Sequence, residues 1–146
     1  MDNFRIEKFS AQHLADVAKI HSMVNDGWSE SSLAADMENE STCSYVAVVN
    51  DETAAFCSYL VTFDAELIFV CTHPDMRGRG IAQKLLTETI NLLPDAIANV
   101  VLEVRSKNEP ALALYKKLGF EKLGLRKNFY SLPKDDAVVM QYNKKV

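Results

Sequence analysis

Two hydrophobic periodicities alternate along the chain. Apolar residues at three- and four-residue spacing predict amphipathic helices, over residues 14–24, 29–37, 81–93 and 108–119. Apolar or alternating runs predict strands, over residues 4–9, 45–49, 55–61, 67–71, 100–104, 120–130 and 137–142. The order is therefore one strand, two helices, three strands, then a helix, a strand, a helix and two final strands.

Residues at the ends of these segments support the assignment. Ser10, Ser29 and Asn108 are typical helix N-caps, while Pro94 and Gly119 are typical of helix ends. Two helices lie between extended segments in the second half of the chain. We therefore expect an α/β (α+β) fold with a mixed sheet, parallel pairing near its middle, and helices on both faces.

Length and charge limit the functional class. With 146 residues, 48% of them hydrophobic, the chain is predicted to form a single domain over residues 1–146. The formal net charge of −4 argues against a protein whose main role is to bind nucleic acid or an anionic membrane surface. No apolar run approaches the roughly 20 residues that span a bilayer, and residues 1–5 do not resemble a signal peptide. We expect a cytoplasmic protein that binds neither membrane nor nucleic acid directly.

Cysteine usage points to packing rather than to a metal site. Cys43, Cys57 and Cys71 are odd in number, widely separated and set in β-branched or aromatic runs. These features favour buried, reduced thiols over a disulfide or a metal site. No metal is expected.

A glycine-rich loop between a predicted strand and a predicted helix is typical of an anion site. Arg77, Gly78, Arg79 and Gly80 directly precede the helix that begins near Ile81. Free amides at a helix N-terminus bind phosphate oxygens, glycines allow close approach, and arginines add charge. A dinucleotide fingerprint would need glycine at Gln83, and a P-loop would need lysine at Ile81, so neither motif fits. The alternative is a loop that only turns the chain.

Glu103 stands inside the apolar run 100–104. A carboxylate there is costly unless it faces a cleft or has a partner, and a cleft would suit a general base. The alternatives are a solvent-facing residue or an ion pair with Arg105 or Lys107. Tyr115, taken alone, is a core residue on an apolar helix face. However, one strand-helix unit could direct Glu103, Asn108 and Tyr115 toward the same cleft.

Together these segments resemble the GNAT superfamily of acetyl-CoA-dependent N-acetyltransferases, over nearly the whole chain. Within it the sequence is similar to the RimI type, the ribosomal-protein-alanine N-acetyltransferases. The resemblance rests on R-x-x-G-x-A, LEVR-x-x-N, ALY-x-x-LGF, R-x-N-x-Y and a DA-φ-φ-M pattern (φ apolar), at residues 77–82, 102–108, 113–120, 126–130 and 136–140. Trp28 begins a segment like the family's P-W-S-x, with Gly27 in place of proline. The loop 131–135 looks shorter than the family's.

The resemblance implies a GNAT-like sheet of about six to seven strands and a set of site residues. Backbone groups of Val70 and Thr72 would pair with the pantetheine arm of acetyl-CoA, and Asn108 would contact the cofactor. Glu103 would be the general base, and Tyr115 would protonate or hydrogen-bond the departing thiolate. The backbone amides that would cradle the pyrophosphate belong to Arg77, Gly78, Arg79, Gly80, Ile81 and Ala82.

The chemistry of the amine favours a protein N-terminus as acceptor. At about pH 7, deprotonating an α-amine of pKa ~7.8 costs roughly 1 kcal/mol, against roughly 4.6 kcal/mol for a lysine of pKa ~10.4. A single glutamate base suits the first better, which predicts acetylation of a protein α-amine, such as that of a ribosomal protein, by direct attack in a ternary complex. The alternatives are a small-molecule or lysine acetyltransferase and a noncatalytic acyl-CoA-binding module.

The acceptor end of the cleft is less defined by the sequence. Trp28 and Tyr130 could line a peptide slot, although large aromatics are equally suited to core or hinge packing. Acidic residues near strand starts could flank a cationic amine, although exposed acids are usually a solvated surface. These acidic residues are Asp64, Glu66, Asp135 and Asp136.

Overall fold

A seven-stranded sheet forms the centre of the computed structural model, which describes residues 3–144. The strands are β1 (Phe4–Lys8), β2 (Thr42–Val49), β3 (Glu52–Val61), β4 (Ala65–Thr72), β5 (Asn99–Arg105), β6 (Glu121–Ser131) and β7 (Lys134–Asn143). The helices are α1 (Leu14–Ser22), α2 (Glu30–Glu38), α3 (Ile81–Leu92) and α4 (Glu109–Leu118). Every predicted helix and strand is present, in the predicted order.

The sheet is mixed, as predicted. Its order is β1-β2-β3-β4-β5-β7-β6, and β4 with β5 is the parallel pair. Only Ala65 with Val100 and Glu66 with Val101 are paired between them. Beyond this point Ile68 is an extra residue in the β3–β4 register, since Ser58 faces Phe69 and Tyr59 faces Leu67. Such a bulge bends a strand, and the carboxyl-terminal parts of β4 and β5 separate.

Each face of the sheet carries its own hydrophobic core. On one face, α3 and α4 bury side chains such as Leu85 and Phe120. On the other, α1 and α2 bury Val17, Ile20 and Leu33 against the sheet. The prediction of helices on both faces of a mixed sheet is confirmed.

Helix α1 ends earlier than predicted, at Ser22 rather than near residues 25–27. The chain turns back on the helix end, where a Cβ atom on Gly27 would lie 2.0 Å from the carbonyl oxygen of His21. Only glycine permits that approach. The predicted caps of the other helices are present, since Ser29 Oγ accepts from the Ser32 amide at 3.1 Å and Asn108 Oδ1 from the Ala111 amide at 3.2 Å.

The cysteines are free thiols, as expected. Cys57 and Cys71 are buried, and burial raises the pKa of each thiol to about 12. Cys43 is only half-buried, so the prediction of three buried thiols is wrong for this residue. Within residues 3–144 no group of metal-ligating side chains is found. No helix in the same range has the length and apolar character to cross a membrane.

Candidate active site

The separation of β4 from β5 opens a cleft of about 1130 Å³. Its walls are the ends of these two strands, the start of α3, one face of α4, the loop between α1 and α2, and Tyr130. The cleft explains why Ile68, Phe69 and Val70, in the apolar run of β4, are only half-buried. Twelve of the thirteen predicted site residues line the cleft. They are Trp28, Val70, Thr72, Arg77, Gly78, Gly80, Ile81, Ala82, Glu103, Asn108, Tyr115 and Tyr130.

Arg79 is the predicted site residue that does not line the cleft, so its side chain adds no charge to the wall. We call the segment from Val70 to Ala82, with Asn108, the glycine half of the cleft. We call the opposite wall, formed by Asp26, Trp28, Phe69, Arg105 and Tyr130, the aromatic half. Glu103 and Tyr115 lie in the same cleft as both halves.

The glycine half presents backbone rather than side chains. Gly78 and Gly80 have φ of +78° and +74°, a conformation that favours glycine, and a Cβ on either would meet no atom within 4 Å. Among the described residues no side chain caps α3, whose N-cap is Gly80. The first amides of α3 therefore have no side-chain cap and lie at the cleft beside Arg77, an arrangement typical of anion sites.

The edge of β4 in the glycine half is also available to a ligand. Past Glu66, the described part of β4 makes no pairing with β5. Backbone groups near Val70 and Thr72 can therefore bond an extended ligand in place of a strand. Asn108 also lines the cleft, and its side-chain oxygen accepts from the Ala111 amide to cap α4.

Glu103 is placed in the cleft by β5 and has a charged partner. Arg126 Nη1 donates to both carboxylate oxygens, at 3.2 and 3.1 Å. The side chain of Glu103 is 25% exposed. The alternative of an ion pair with Arg105 or Lys107 is wrong, since the partner is Arg126. Glu103 is a partly hydrated carboxylate oriented by a guanidinium.

Tyr115 lies on the buried face of α4, with its ring 5.8 Å from that of Phe120. It also lines the cleft, so its packing and site roles are compatible. Burial, and to a smaller extent the proximity of Tyr130, raises the pKa of Tyr115 to about 12. The phenol is therefore protonated at neutral pH and can donate its proton or a hydrogen bond.

The aromatic half is held from behind by a buried histidine. Trp28 packs against Phe56 and Phe69, with ring centroids 5.9 and 5.3 Å away. His21 stacks on Phe69 at 4.8 Å, and its Nδ1 accepts from the Trp28 amide at 2.8 Å. Burial lowers the pKa of His21 to about 4. Trp28 thus serves both as hinge packing and as cleft lining.

The acidic residues expected at the mouth do not reach the cleft. Asp64, Glu66, Asp135 and Asp136 are absent from its lining, and Asp135 is buried. Asp135 accepts from Ser106 Oγ and from the Lys107 amide, and these bonds lower its pKa. The possibility that these acids flank the acceptor amine is therefore wrong, and the carboxylates of Asp135 and Asp136 bond backbone amides near the β6–β7 turn instead. The acidic groups in the cleft are Asp26 and Glu103.

Three residues of the site have roles that the sequence did not indicate. Arg126 is the first residue of the R-x-N-x-Y match, but no role was predicted for it. That match was the one sequence signal that could have marked Arg126 as a site residue. Arg105 lines the cleft and bonds the turn between β6 and β7. Asp26, in the loop after α1, lies 3.9 Å from Arg105 Nε, and nothing in its local sequence marks it.

Comparisons with known proteins match this geometry. Residues 11–120 match the Acetyltransferase (GNAT) family. The [ribosomal protein bS18]-alanine N-acetyltransferase of Escherichia coli (strain K12) is 32% identical over 117 residues, which cover 77% of this chain and 78% of that protein.

A solved structure and a longer relative complete the comparison. The crystal structure of the ribosomal-protein-S18-alanine N-acetyltransferase from Escherichia coli superposes with a TM-score of 0.87 and 28% identity, covering 97% of this chain and 94% of that one. An uncharacterized protein of Mycobacterium leprae (strain TN) is 30% identical over 132 residues, or 85% of this chain. The chain spans 36% of that relative's length.

Proposed function

The chain belongs to the GNAT family of acetyltransferases and is an N-acetyltransferase similar to the RimI type. On that premise we propose that it transfers the acetyl group of acetyl-CoA to the α-amine of a protein N-terminus. One observation supports this most: a single cleft joins a backbone anion site, a carboxylate and a protonated phenol to an aromatic wall. The similarity to the alanine N-acetyltransferase of Escherichia coli supports, as the acceptor of this chain, an alanine at the N-terminus of a ribosomal protein.

The glycine half fits a CoA pyrophosphate. Gly78 and Gly80 have positive φ, and the space beside them where a Cβ atom would stand is open. The first amides of α3 supply hydrogen-bond donors, and Arg77 supplies positive charge. These residues would hold the diphosphate, and the free edge of β4 at Val70 and Thr72 would hold the pantetheine arm. Asn108 would contact it from the start of α4. Bound acetyl-CoA supplies a thioester, a carbonyl carbon open to attack by an amine.

Glu103 would take the proton from the acceptor amine. A protonated α-amine has no lone pair, so it must lose a proton before it can attack. Arg126 keeps the carboxylate in the cleft through two hydrogen bonds but leaves a quarter of the side chain exposed. That exposure permits proton acceptance from the amine, either directly or through one water molecule.

Tyr115 would donate a hydrogen bond to the leaving sulfur. With burial raising the pKa of Tyr115 to about 12, complete proton transfer to a thiolate of pKa ~8.5 would be uphill by roughly 5 kcal/mol. A hydrogen bond to the developing negative charge avoids that cost. Between the two roles left open by the sequence, the pKa of Tyr115 favours hydrogen bonding.

A panel of acceptors tests the proposed function. Purified protein and acetyl-CoA are incubated with a peptide that begins with the N-terminus of a ribosomal protein, the same peptide with a blocked N-terminus, free lysine and a polyamine. CoA release is followed as kcat/KM for each acceptor. We expect turnover with the free N-terminus and almost none with the blocked peptide. Higher kcat/KM for lysine or the polyamine would contradict α-amine specificity, and binding of acetyl-CoA without turnover would contradict the enzyme role.

A further inference from the structure

Arg105 contacts both loops of the aromatic half. It is the last residue of β5, and its Nη1 and Nη2 donate to the carbonyl oxygens of Pro133 and Leu132, at 2.7 and 3.1 Å. Its Nε lies 3.9 Å from Asp26 Oδ2, and both residues line the cleft. One guanidinium therefore joins the β6–β7 turn to the loop between α1 and α2.

The same guanidinium lies on the ring of Tyr130. The Cζ atom of Arg105 is 4.1 Å from the ring centroid, which is a cation–π contact. Only 21% of the Arg105 side chain is exposed, so these contacts are made with little competing water. A planar, forked cation can bond two carbonyls and stack on a ring at once, and a lysine cannot do both.

The β6–β7 turn has little packing of its own. Residues 131–134 are all exposed, and Leu132 is 86% exposed. Asp135 anchors the start of β7 through Ser106 and Lys107, but the carbonyls of the turn itself are bonded by Arg105. Tyr130 precedes this turn and is paired with Asp135 in the β6–β7 ladder, so the contacts of Arg105 add to that pairing.

Arg105 also stands apart from the proposed proton transfer. It lies two residues after Glu103, so both side chains are on the same face of β5 and line the cleft. The charged partner of Glu103 is nevertheless Arg126. Loss of Arg105 should therefore change the walls of the cleft more than the carboxylate.

We propose that Arg105 is a positioning residue for the acceptor. It holds Tyr130 and the β6–β7 turn against the α1–α2 loop, so that the acceptor enters between two fixed walls. This proposal rests on the proposed function for the nature of the acceptor. We call the contacts of Arg105 with Tyr130, the β6–β7 turn and Asp26 the clamp. The clamp is present in the protein without substrate, so it can be tested without turnover.

Steady-state kinetics test the positioning role. Arg105→Met should raise the acceptor KM about tenfold, since hydrogen bonds from a charged donor are lost. The value of kcat and the dissociation constant of acetyl-CoA should stay near wild type. Arg105→Lys should rescue only part of the effect. Lys122→Met, which removes an exposed cation from β6 outside the cleft, is the matched control and should change neither constant.

A double variant tests whether Arg105 acts through the aromatic ring. Tyr130→Ala should also raise the acceptor KM, and the pair Arg105→Met with Tyr130→Ala should be little worse than either change alone. Independent, additive effects would contradict the proposal. A fall in kcat with unchanged acceptor KM would place Arg105 in the chemical step and would also contradict it.

Hydrogen exchange gives a readout that needs no acceptor. In Arg105→Met, backbone amides in residues 126–136 should exchange faster than in wild type, while those of α3 should not change. Unchanged exchange in residues 126–136 would overturn the clamp. If exchange accelerates but wild-type protein acetylates no peptide, the proposed function fails and the clamp stands. Faster exchange with an unchanged KM for an accepted peptide would refute the positioning role alone.

Discussion

The two halves of the cleft are built in different ways. The glycine half is formed mainly by consecutive residues, 70–82, and it presents backbone amides and open space. The aromatic half is assembled from distant segments, since Arg105 bonds Leu132 and Pro133, and His21 accepts from the Trp28 amide. A backbone site binds the part of a ligand that does not vary, whereas a site made of side chains can differ from one enzyme to the next.

The largest predicted effect lies between the halves, at Glu103. Glu103→Gln should lower kcat by at least about a hundredfold, since general bases contribute about 10²- to 10⁴-fold. Acetyl-CoA affinity should not change. Steady-state assays of CoA release measure kcat, and calorimetric titration measures the dissociation constant of acetyl-CoA. Glu121→Gln makes the same carboxylate-to-amide change on exposed β6 and should be silent. Full activity of Glu103→Gln would remove the proposed base.

Tyr115→Phe should lower kcat by about ten- to a hundredfold, because a hydrogen bond to a charged atom is lost. The acceptor KM should stay near wild type, since the ring packing against Phe120 is retained. Steady-state kinetics with a saturating acceptor check this. If the variant keeps the wild-type kcat, Tyr115 is a packing residue only.

A fall in pH should reduce the stability that buried His21 gives to the aromatic half. Burial lowers the pKa of His21 to about 4, whereas an unfolded histidine titrates near 6.5. Between about pH 6.5 and about pH 4 the His21 imidazole is protonated in the unfolded chain but neutral in the folded chain. The free energy of unfolding therefore decreases as pH falls through this range. At pH 5 this amounts to about 2 kcal/mol.

Denaturant unfolding at several pH values measures this loss. His21→Gln keeps an acceptor for the Trp28 amide but carries no titrating ring. The difference in unfolding free energy between wild type and the variant should therefore change between pH 7 and pH 5. A difference that does not depend on pH would show that His21 is not the titrating group.

The glycine half can be disturbed alone. At Gly80, φ is +74°, and alanine there costs about 1–2 kcal/mol. Gly80→Ala should weaken acetyl-CoA binding about tenfold and leave the acceptor KM unchanged. Gly124→Ala is the matched control, because its Cβ meets nothing within 4 Å and its φ is not positive. An equal effect of both variants would contradict the backbone anion site.

The smallest predicted effect is at Cys71, the cysteine that lines the described cleft. Burial raises the pKa of Cys71 to about 12, so the thiol is protonated and a poor nucleophile. Cys71→Ser should keep kcat within about twofold, as direct transfer requires. Complete loss of activity in a folded variant would instead indicate an acetyl-enzyme.

These contrasts explain what the sequence could predict. Elements were predictable because hydrophobic period, N-caps and glycines act locally. The strand-loop-helix geometry of the glycine half was predictable because it lies in one continuous segment. The partner of Glu103 was not, because Arg126 is 23 positions away and arrives through pairing of β6 with β7. Asp135 was misplaced for the same reason, since its partners Ser106 and Lys107 belong to another loop.

Mass spectrometry of the product tests the central claim most directly. A peptide with one free α-amine and one internal lysine is incubated with acetyl-CoA and either wild-type protein or Glu103→Gln, and the acetyl group is located by fragmentation. We predict a single acetyl group on the α-amine with wild type and at least about a hundredfold less with the variant. An acetyl group on the lysine side chain, or equal product from both proteins, would contradict the account.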